Sequence, residues 1–540
     1  MPDFQLLPVP GDPFGGKVQE PGADPEMQAE NARLGAAAAV GLQMPPGQDV
    51  RYPTPGLPHP AWINQRLPTG ANPDLGEGPG LVDLPTMQRT QPLFEKNVDL
   101  VKNYTGVPPE VSQAPTYGDA ANNFINFVKG NLLWLHDQVP DAIRDRSKLW
   151  YDGGNRIVQN WAQKYGLTDS AVAGAIAAQS PQKDWFQNVS LADRVLNITQ
   201  TPEIANTKTT PEMVAKFSEL PALQKYKPLL DEMIGKSYND LTDPTQKAMW
   251  VRLYDQAHND PSHRIVTPEG DFGDYVKNAD GSNTRVAWGS LPEISKAITS
   301  IEANGHPDVM QTLLGEKHKV RNFYNNLLVP NAQNGDVTID THAVAAGLLR
   351  PLSGNSMEVA HNFANYAGKG VPGAAGSAVT GIQGTYPLYA EAYRRAAAER
   401  GILPREMQSI TWEAIRGLFP DTFKTAANAA KIDQLWKNYS QGKASLDETR
   451  QAILGQAGGI AAPSWFRPGG ANAAPAANAA NPAELSGSGV YGATPGSPVG
   501  GRGSESPAGN SEIDQIINSL PAGARRESVR RVLGWRSPLL

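Results

Sequence analysis

The chain of 540 residues contains no cysteine. That absence excludes a disulfide framework, a thiolate nucleophile, Cys-ligated zinc and an iron–sulfur cluster. No apolar run approaches the roughly 18 residues that a membrane-spanning helix needs, so no transmembrane segment is expected. Met1 to Gly16 has no basic stretch leading into an apolar one, so no Sec leader is expected either. Strong positive charge is missing as well. The formal net charge of -6 divides into about -6 over residues 1–118, about -2 over 119–440 and about +2 over 441–540. Any contact with DNA must therefore come from a local cluster in a near-neutral body, since the overall field would not steer a polyanion in.

Several chemical signatures are also missing. The sequence has no G-x-x-x-x-G-K-S/T, no H-E-x-x-H, no EF-hand loop and no G-x-S-x-G. Phosphate-loop hydrolysis, zinc proteolysis and α/β-hydrolase chemistry lose their usual support. The 8 histidines are scattered, and His258 with His263 would lack third and fourth ligands. No metal and no cofactor are expected.

What the sequence has in abundance is punctuation, 53 Gly and 46 Pro. Residues 1–118 are broken by Pro8, Pro10, Pro13, Gly15, Gly16, Pro45, Pro46, Pro53, Pro55, Pro58 and Pro60, which deny helix continuation and predict an extended arm. A short helix is expected there only between Asp24 and Leu42. From Asp119 the texture changes to helical periodicity (Phe124, Ile125, Phe127, Val128, Leu132, Leu135). This predicts a mainly α core domain over 119–455, with residues 199–290 read as an insertion carrying a small β-hairpin about Asn278–Ser282. The helix expected over Ser170–Gln179, capped by Asp169, is small and apolar almost all round, as a central helix must be. Residues 456–510 are an Ala/Gly/Pro/Ser-rich linker. Residues 511–540 form a short cationic amphipathic tail with Arg525, Arg526, Arg530, Arg531 and Arg536, suited to docking on its own protein or a partner, or to a membrane surface or nucleic acid.

Three patterns in the core can carry chemistry. Ala177-Ala178-Gln179-Ser180-Pro181-Gln182-Lys183-Asp184-Trp185-Phe186-Gln187-Asn188 is a small-residue helix ending in an amide-rich, aromatic turn. Leu313-Leu314-Gly315-Glu316-Lys317-His318-Lys319-Val320-Arg321 joins two helices through a tight turn with cations at the entry to the second. Val337-Thr338-Ile339-Asp340-Thr341-His342 puts an acid at a helix start. A carboxylate held there stays ionised and can stabilise an oxocarbenium-like sugar or activate water.

In this order the patterns resemble the helix-hairpin-helix DNA glycosylase superfamily of the endonuclease III type. The resemblance implies a base-excision glycosylase or lyase, acting on DNA bases or abasic sites. It implies that Asp340 is catalytic, that Lys319 or Lys317 is the Schiff-base lysine, and that Gln179 probes the gap left by a flipped base. Gln182, Trp185, Asn188, Arg321 and His342 join Gln179 as substrate-binding residues, because base eversion needs an amide or aromatic wedge and a pocket. The hairpin lacks the paired glycines of that family, with Glu316 standing where a phosphate would approach.

The same segments, with Gln408-Ser409-Ile410-Thr411-Trp412-Glu413, are similar to an uncharacterised helical domain of tailed-bacteriophage proteins over roughly 120–420. That similarity implies expression in a bacterial host, packaging in the virion, and other virion proteins as partners alongside DNA. It leaves open a non-enzymatic structural protein that uses the helical core as a scaffold, since a fold does not fix a function. Each residue also has a plainer role: Asp340 as an ordinary N-cap, Gln179 to Asn188 as a satisfied helix junction, Lys317, Lys319 and Arg321 as a solvated face, Trp185 as core, His342 as a structural hydrogen-bonder.

Overall fold

The computed structural model describes residues 94–218, 226–278, 280–314, 319–333, 335–363 and 384–466. Within them the protein is mainly α, with one two-stranded antiparallel sheet. The arm before residue 94, the tail, most of the linker and Lys317 lie outside the described residues.

Helix α1 (Tyr117–Gln138) is capped by Thr116, whose side chain accepts from Asp119 N, and it buries Phe124, Ile125, Val128, Leu132 and Leu135 on one face. Helix α2 (Trp150–Tyr165) ends at Gly166, whose φ of 65° supplies the left-handed stop the sequence suggests. Helix α3 (Asp169–Ala178) is buried at every position. It is the hub of the body: α2 on one side, α4 (Trp185–Gln200) on another, then α6 (Leu291–Glu302) and α7 (Lys319–Leu328) pack around it, with α5 (Pro244–His258) behind α6. Its N-cap is Thr168, which accepts from Ala171 N, whereas the sequence pointed to Asp169. Both are good caps one residue apart, and propensity does not choose between them. The second group of helices, α8 (Thr341–Leu348), α9 (Tyr386–Arg400) and α10 (Pro404–Leu418), packs against α1. Helices α11 (Ala426–Ser440) and α12 (Leu446–Ala457) pair with each other near the end of the body.

Two boundaries differ from the sequence reading. The packed body starts well before residue 119, because residues 94–102 are helical and Phe94, Val98, Val101, Tyr104 and Val111 are all buried. Their apolar spacing is helical, but the prolines around it mask the signal. The body also continues past 455. Trp465 is buried, and its indole donates to Glu413 Oε1 at 2.9 Å, the same oxygen that accepts from Trp150 Nε1 at 3.0 Å. Burial pushes the Glu413 carboxyl above its ordinary range, against the pull of Arg416 and the two indoles. Residues 199–290, read as an insertion, pack closely on the rest of the body. Trp250 on α5 is fully buried, and Asp255 is gripped by Arg194 Nη1 of α4 at 3.0 Å and by Trp288 Nε1 at 2.8 Å.

The β-hairpin is displaced from its expected place. Strand β1 (Arg264–Val266) pairs antiparallel with β2 (Phe272–Tyr275), so Tyr275 faces Arg264 and Phe272 faces Val266. About Asn278–Ser282 the described residues double back through an isolated antiparallel bridge, Lys277 to Asn283, with Asn278 N donating to Ser282 O at 2.9 Å and Thr284 N to Val276 O at 2.8 Å, and Asp280 accepts from Ser282 N and Oγ.

One glycine fixes the body against this sheet. A Cβ on Gly153 of α2 would collide with the Pro268 carbonyl oxygen and with the backbone of Glu269 and Gly270. Gly270 itself has φ 82°. Gly153→Ala is expected to cost about 1–3 kcal/mol through overpacking, read as a lowered urea midpoint at unchanged m-value. Because Trp150 and Tyr151 ride on the same helix, it should also disturb the site they wall.

Candidate functional site

A cleft of about 640 Å³, mouth included, opens where α2, the α3–α4 corner, α7, the N-terminus of α8 and α10 meet. Each corner of the cleft has a local cause.

Pro181 stops the chain from continuing α3, and Gln182 turns it with φ 56°. Asp184 then starts α4 by accepting from Gln187 N at 2.9 Å. This short corner points Ser180, Lys183, Trp185 and Asn188 at the cleft. Opposite it, Val337 and Ile339 are buried and their backbone is held from the side. Tyr386 Oη donates to Val337 O at 2.7 Å, the Ile339 N–H donates back to Tyr386 Oη at 3.2 Å, and Asn362 Nδ2 donates to Ile339 O at 3.3 Å. An extended segment with its peptide groups thus satisfied delivers Asp340 in a fixed place. Asp340 Oδ1 caps α8 by accepting from Ala343 N at 2.8 Å, while Oδ2 lies 3.7 Å from His342 Nδ1. The Asp340 side chain is still 22% exposed and His342 24%, so capping does not seal the carboxylate away.

Lys319 begins α7 and reaches across to the α3 end. Its Nζ donates to Ser180 O at 2.8 Å and to Ser180 Oγ at 3.2 Å. Burial lowers the Lys319 ammonium below the ordinary lysine range, although the Asp340 and Glu293 carboxylates oppose this. Burial would push Asp340 up, but the neighbouring His342 ring, the Lys319 charge and the Ala343 N–H together hold its carboxyl below the usual range. An amine that gives up its proton more readily than a free lysine therefore shares a cleft with an ionised carboxylate. Lys183 is also lowered by burial, against Glu293 and Asp184, and Glu293 is raised by burial despite the Ser290 N–H, Lys183, Lys319 and Lys296.

The walls are aromatic. Trp150 meets Trp185 edge-on at 6.3 Å and Trp412 at 5.7 Å between ring centroids. Trp185 meets Phe323 at 6.0 Å, and Phe323 meets Tyr151 at 6.3 Å. Tyr151 Oη donates to Gln408 Oε1 at 2.8 Å, which ties α2 to α10 across the floor. His342 stands edge-on to Trp412 at 6.0 Å.

Of the residues singled out from sequence, the cleft brings together Asp340, Lys319, His342, Trp185 and Asn188. Gln179, Gln182 and Arg321 are not in its lining. Gln179 is buried one residue before the corner and turns toward α6, its Nε2 donating to Glu293 O at 3.0 Å. Gln182 is exposed at the tip of the turn. Arg321 sits two residues beyond Lys319 on α7, on the opposite face, where its guanidinium is buried 5.2 Å from the Tyr324 ring centroid. Sequence reasoning missed Lys183, Trp150, Tyr151, Phe323 and Trp412 as site residues. Lys183 stood in the Ala177–Asn188 pattern, Phe323 just past the Leu313–Arg321 pattern, and Trp412 in the Gln408–Glu413 stretch already noted. Among the described residues no group of three or more His, Asp or Glu could hold a metal ion, and no helix is long and apolar enough to cross a membrane.

A family described as a family of unknown function (DUF7178) matches residues 125–220 and 360–419. The matched stretches include the Ser180–Asn188 corner and the Gln408–Trp412 wall, while Lys319 and Asp340 fall between them. No curated protein and no solved structure matches the chain.

Proposed function

We propose that the cleft is the active site of a DNA-processing enzyme that removes a nucleobase, or opens the abasic site left behind, with Lys319 as nucleophile and Asp340 as electrostatic partner. The observation that carries this reading is the meeting of a half-buried amine and an ionised carboxylate in a cleft walled by five aromatic rings. A flat heterocycle fits such walls, because every base presents a π-face. The geometry is of the kind base eversion requires, since a base inside a duplex is out of reach of any side chain.

The chemistry follows from the two charges. Neutral Lys319 Nζ forms a bond to the sugar C1′ as the bond from C1′ to the base nitrogen breaks. The base leaves with that electron pair and is protonated. Positive charge on the sugar is greatest midway, and Asp340 is a fixed anion placed to offset it. Loss of a proton from nitrogen and opening of the C1′–O4′ bond give an imine. Removal of a C2′ proton then breaks the C3′–O3′ bond, and the 3′ phosphate departs. Water hydrolyses the imine and frees the lysine.

The test is a nicking assay of the full chain on duplexes carrying uracil, a mismatch, an oxidised base or a preformed abasic site. Borohydride reduction of the imine should leave a covalent protein–DNA species, and peptide mass mapping should put the adduct on Lys319 and not on Lys183. Absence of cleavage and of any adduct on all four substrates would remove the reading.

A further inference from the structure

The imidazole of His342 lines the cleft, yet the fold makes little use of it. Its Nδ1 lies 3.7 Å from Asp340 Oδ2, too far for a hydrogen bond. Its Nε2 has no partner among the described residues and, unlike the sealed Trp185 Nε1 and Asn188 Oδ1, stays open to solvent. Two other histidines are held by close contacts: His136 Nδ1 pairs with Asp137 Oδ1 at 2.8 Å, and His361 Nδ1 with Tyr104 Oη at 3.0 Å. The Asp340 carboxylate on one side and the Trp412 edge, 6.0 Å away, on another orient the His342 ring. With Nδ1 turned to the carboxylate, Nε2 occupies the far edge of the ring.

Breaking a bond from C1′ to a base nitrogen leaves an electron pair on the base, which needs a proton to depart as a neutral ring. The cleft offers few donors. Tyr151 commits its hydroxyl to Gln408 Oε1, and burial pushes that phenol well above its ordinary range. Asp340 is ionised, and Asp184 Oδ1 is occupied in starting α4. Lys319 has the nucleophile's part. Lys183 carries an ammonium, and an ordinary imidazolium is an acid about 10⁴-fold stronger than an ordinary ammonium. His342 is the remaining group with a proton to give and an open nitrogen to give it from.

We infer that His342 is the proton donor to the departing base, an assignment that rests on the reading of the cleft as a base-removing site. As the C1′–N bond breaks, its electron pair goes to the base, the Nε2–H bond of the imidazolium breaks, and the proton passes to the base. A neutral imidazole remains, and solvent, which reaches Nε2, reprotonates it before the next turnover. Asp340 thus faces the sugar's developing charge with one neighbour that attacks, Lys319, and one that releases the leaving group, His342.

The test measures base release and borohydride trapping separately on the full chain, with duplexes carrying uracil, a mismatch, an oxidised base or a preformed abasic site. His342→Gln and His342→Ala should each lower base release by roughly 10²-fold. Trapping at the preformed abasic site, from which no base departs, should stay close to wild type, whereas a purely structural role would lower both together. Glutamine can still hydrogen-bond to Asp340 but has no proton to give, so it separates holding from donating. Imidazole added to the His342→Ala protein should restore base release by roughly tenfold, and pyrazole, a ring of the same size that is scarcely basic, should not. The inference is overturned if the glutamine variant releases base like wild type, if trapping falls in step with release, or if imidazole restores no more than pyrazole. A wild type that traps at abasic sites but releases no base would remove the donor and leave the abasic-site half of the enzymatic reading standing; neither activity on any of the four duplexes would remove both. Should His342→Ala fail to fold, the comparison of release with trapping in His342→Gln still decides.

Discussion

Replacing Lys319 with methionine is expected to abolish the borohydride-trapped adduct and to reduce strand nicking by roughly 10³-fold or more, as loss of a covalent nucleophile does. The fold should tolerate the change. Methionine has a similar length, and it removes an ammonium that burial already disfavours, at the cost of leaving Ser180 O without its 2.8 Å partner. The two effects oppose each other, so thermal unfolding should shift by no more than about 1 kcal/mol. The pH dependence of wild-type trapping is a second check. The reactive form is the neutral amine, so activity rises with pH through the Lys319 titration. Because burial lowers that titration below the lysine reference of 10.5, the rise should be complete at a lower pH than for a free lysine. A midpoint at or above the reference value would contradict the assignment of Lys319.

Asp340→Asn should lower base release by about 10²–10⁴-fold, with a smaller loss of imine capture at preformed abasic sites, where no oxocarbenium-like sugar has to form. Asparagine still caps a helix, so α8 should survive and the loss should be one of rate. Two pH effects accompany it. The Asp340 charge raises the Lys319 titration, and its removal should move the rising limb of trapping to lower pH. For stability the sign is the usual carboxylate one. The Asp340 carboxyl is held below its ordinary range in the folded chain. Its contribution is therefore fully present above the unfolded value near 3.9 and is lost as pH falls through the folded value. The Asn variant should show a flatter acid limb in a stability–pH curve. An acid limb and a base-release rate both unchanged from wild type would show that Asp340 is a cap and nothing more.

The legible parts of the site are those written in one stretch of chain. Asp340 announces itself as the polar residue between a β-branched run and an Ala-rich helix, and Lys319 as a cation at a helix entry. Their proximity is not written locally; the order of motifs and a family resemblance suggested it, and the packing of α7 and α8 about one cleft places them together. What failed was orientation. Gln179 and Ser180 are adjacent, but one residue is about 100° of helical rotation, enough to turn Gln179 onto α6 and leave Ser180 facing Lys319. Arg321 misses the cleft for the same reason. The aromatic walls were harder still. Periodicity marks Trp150, Tyr151 and Phe323 as inward-facing, yet it cannot distinguish a ring that fills the core from one that borders an opening. For the fold, helix existence was largely legible, while the edges of the body were not. Prolines hid residues 94–112, and the Ala/Gly-rich stretch before Trp465 hid that anchor.

That last anchor has a practical bearing on how the protein can be cut. A version trimmed at residue 455, where helical periodicity fades, would delete the indole that shares Glu413 Oε1 with Trp150 and lies 6.1 Å from it. The acid would lose one of its two indole donors, and a ring bordering the cleft would lose its backing. Weak catalysis by such a shortened protein would then be blamed on a missing tail when the fault lay in a loosened wall. Cleavage or tag insertion beyond Phe466 spares the clasp and separates the two causes.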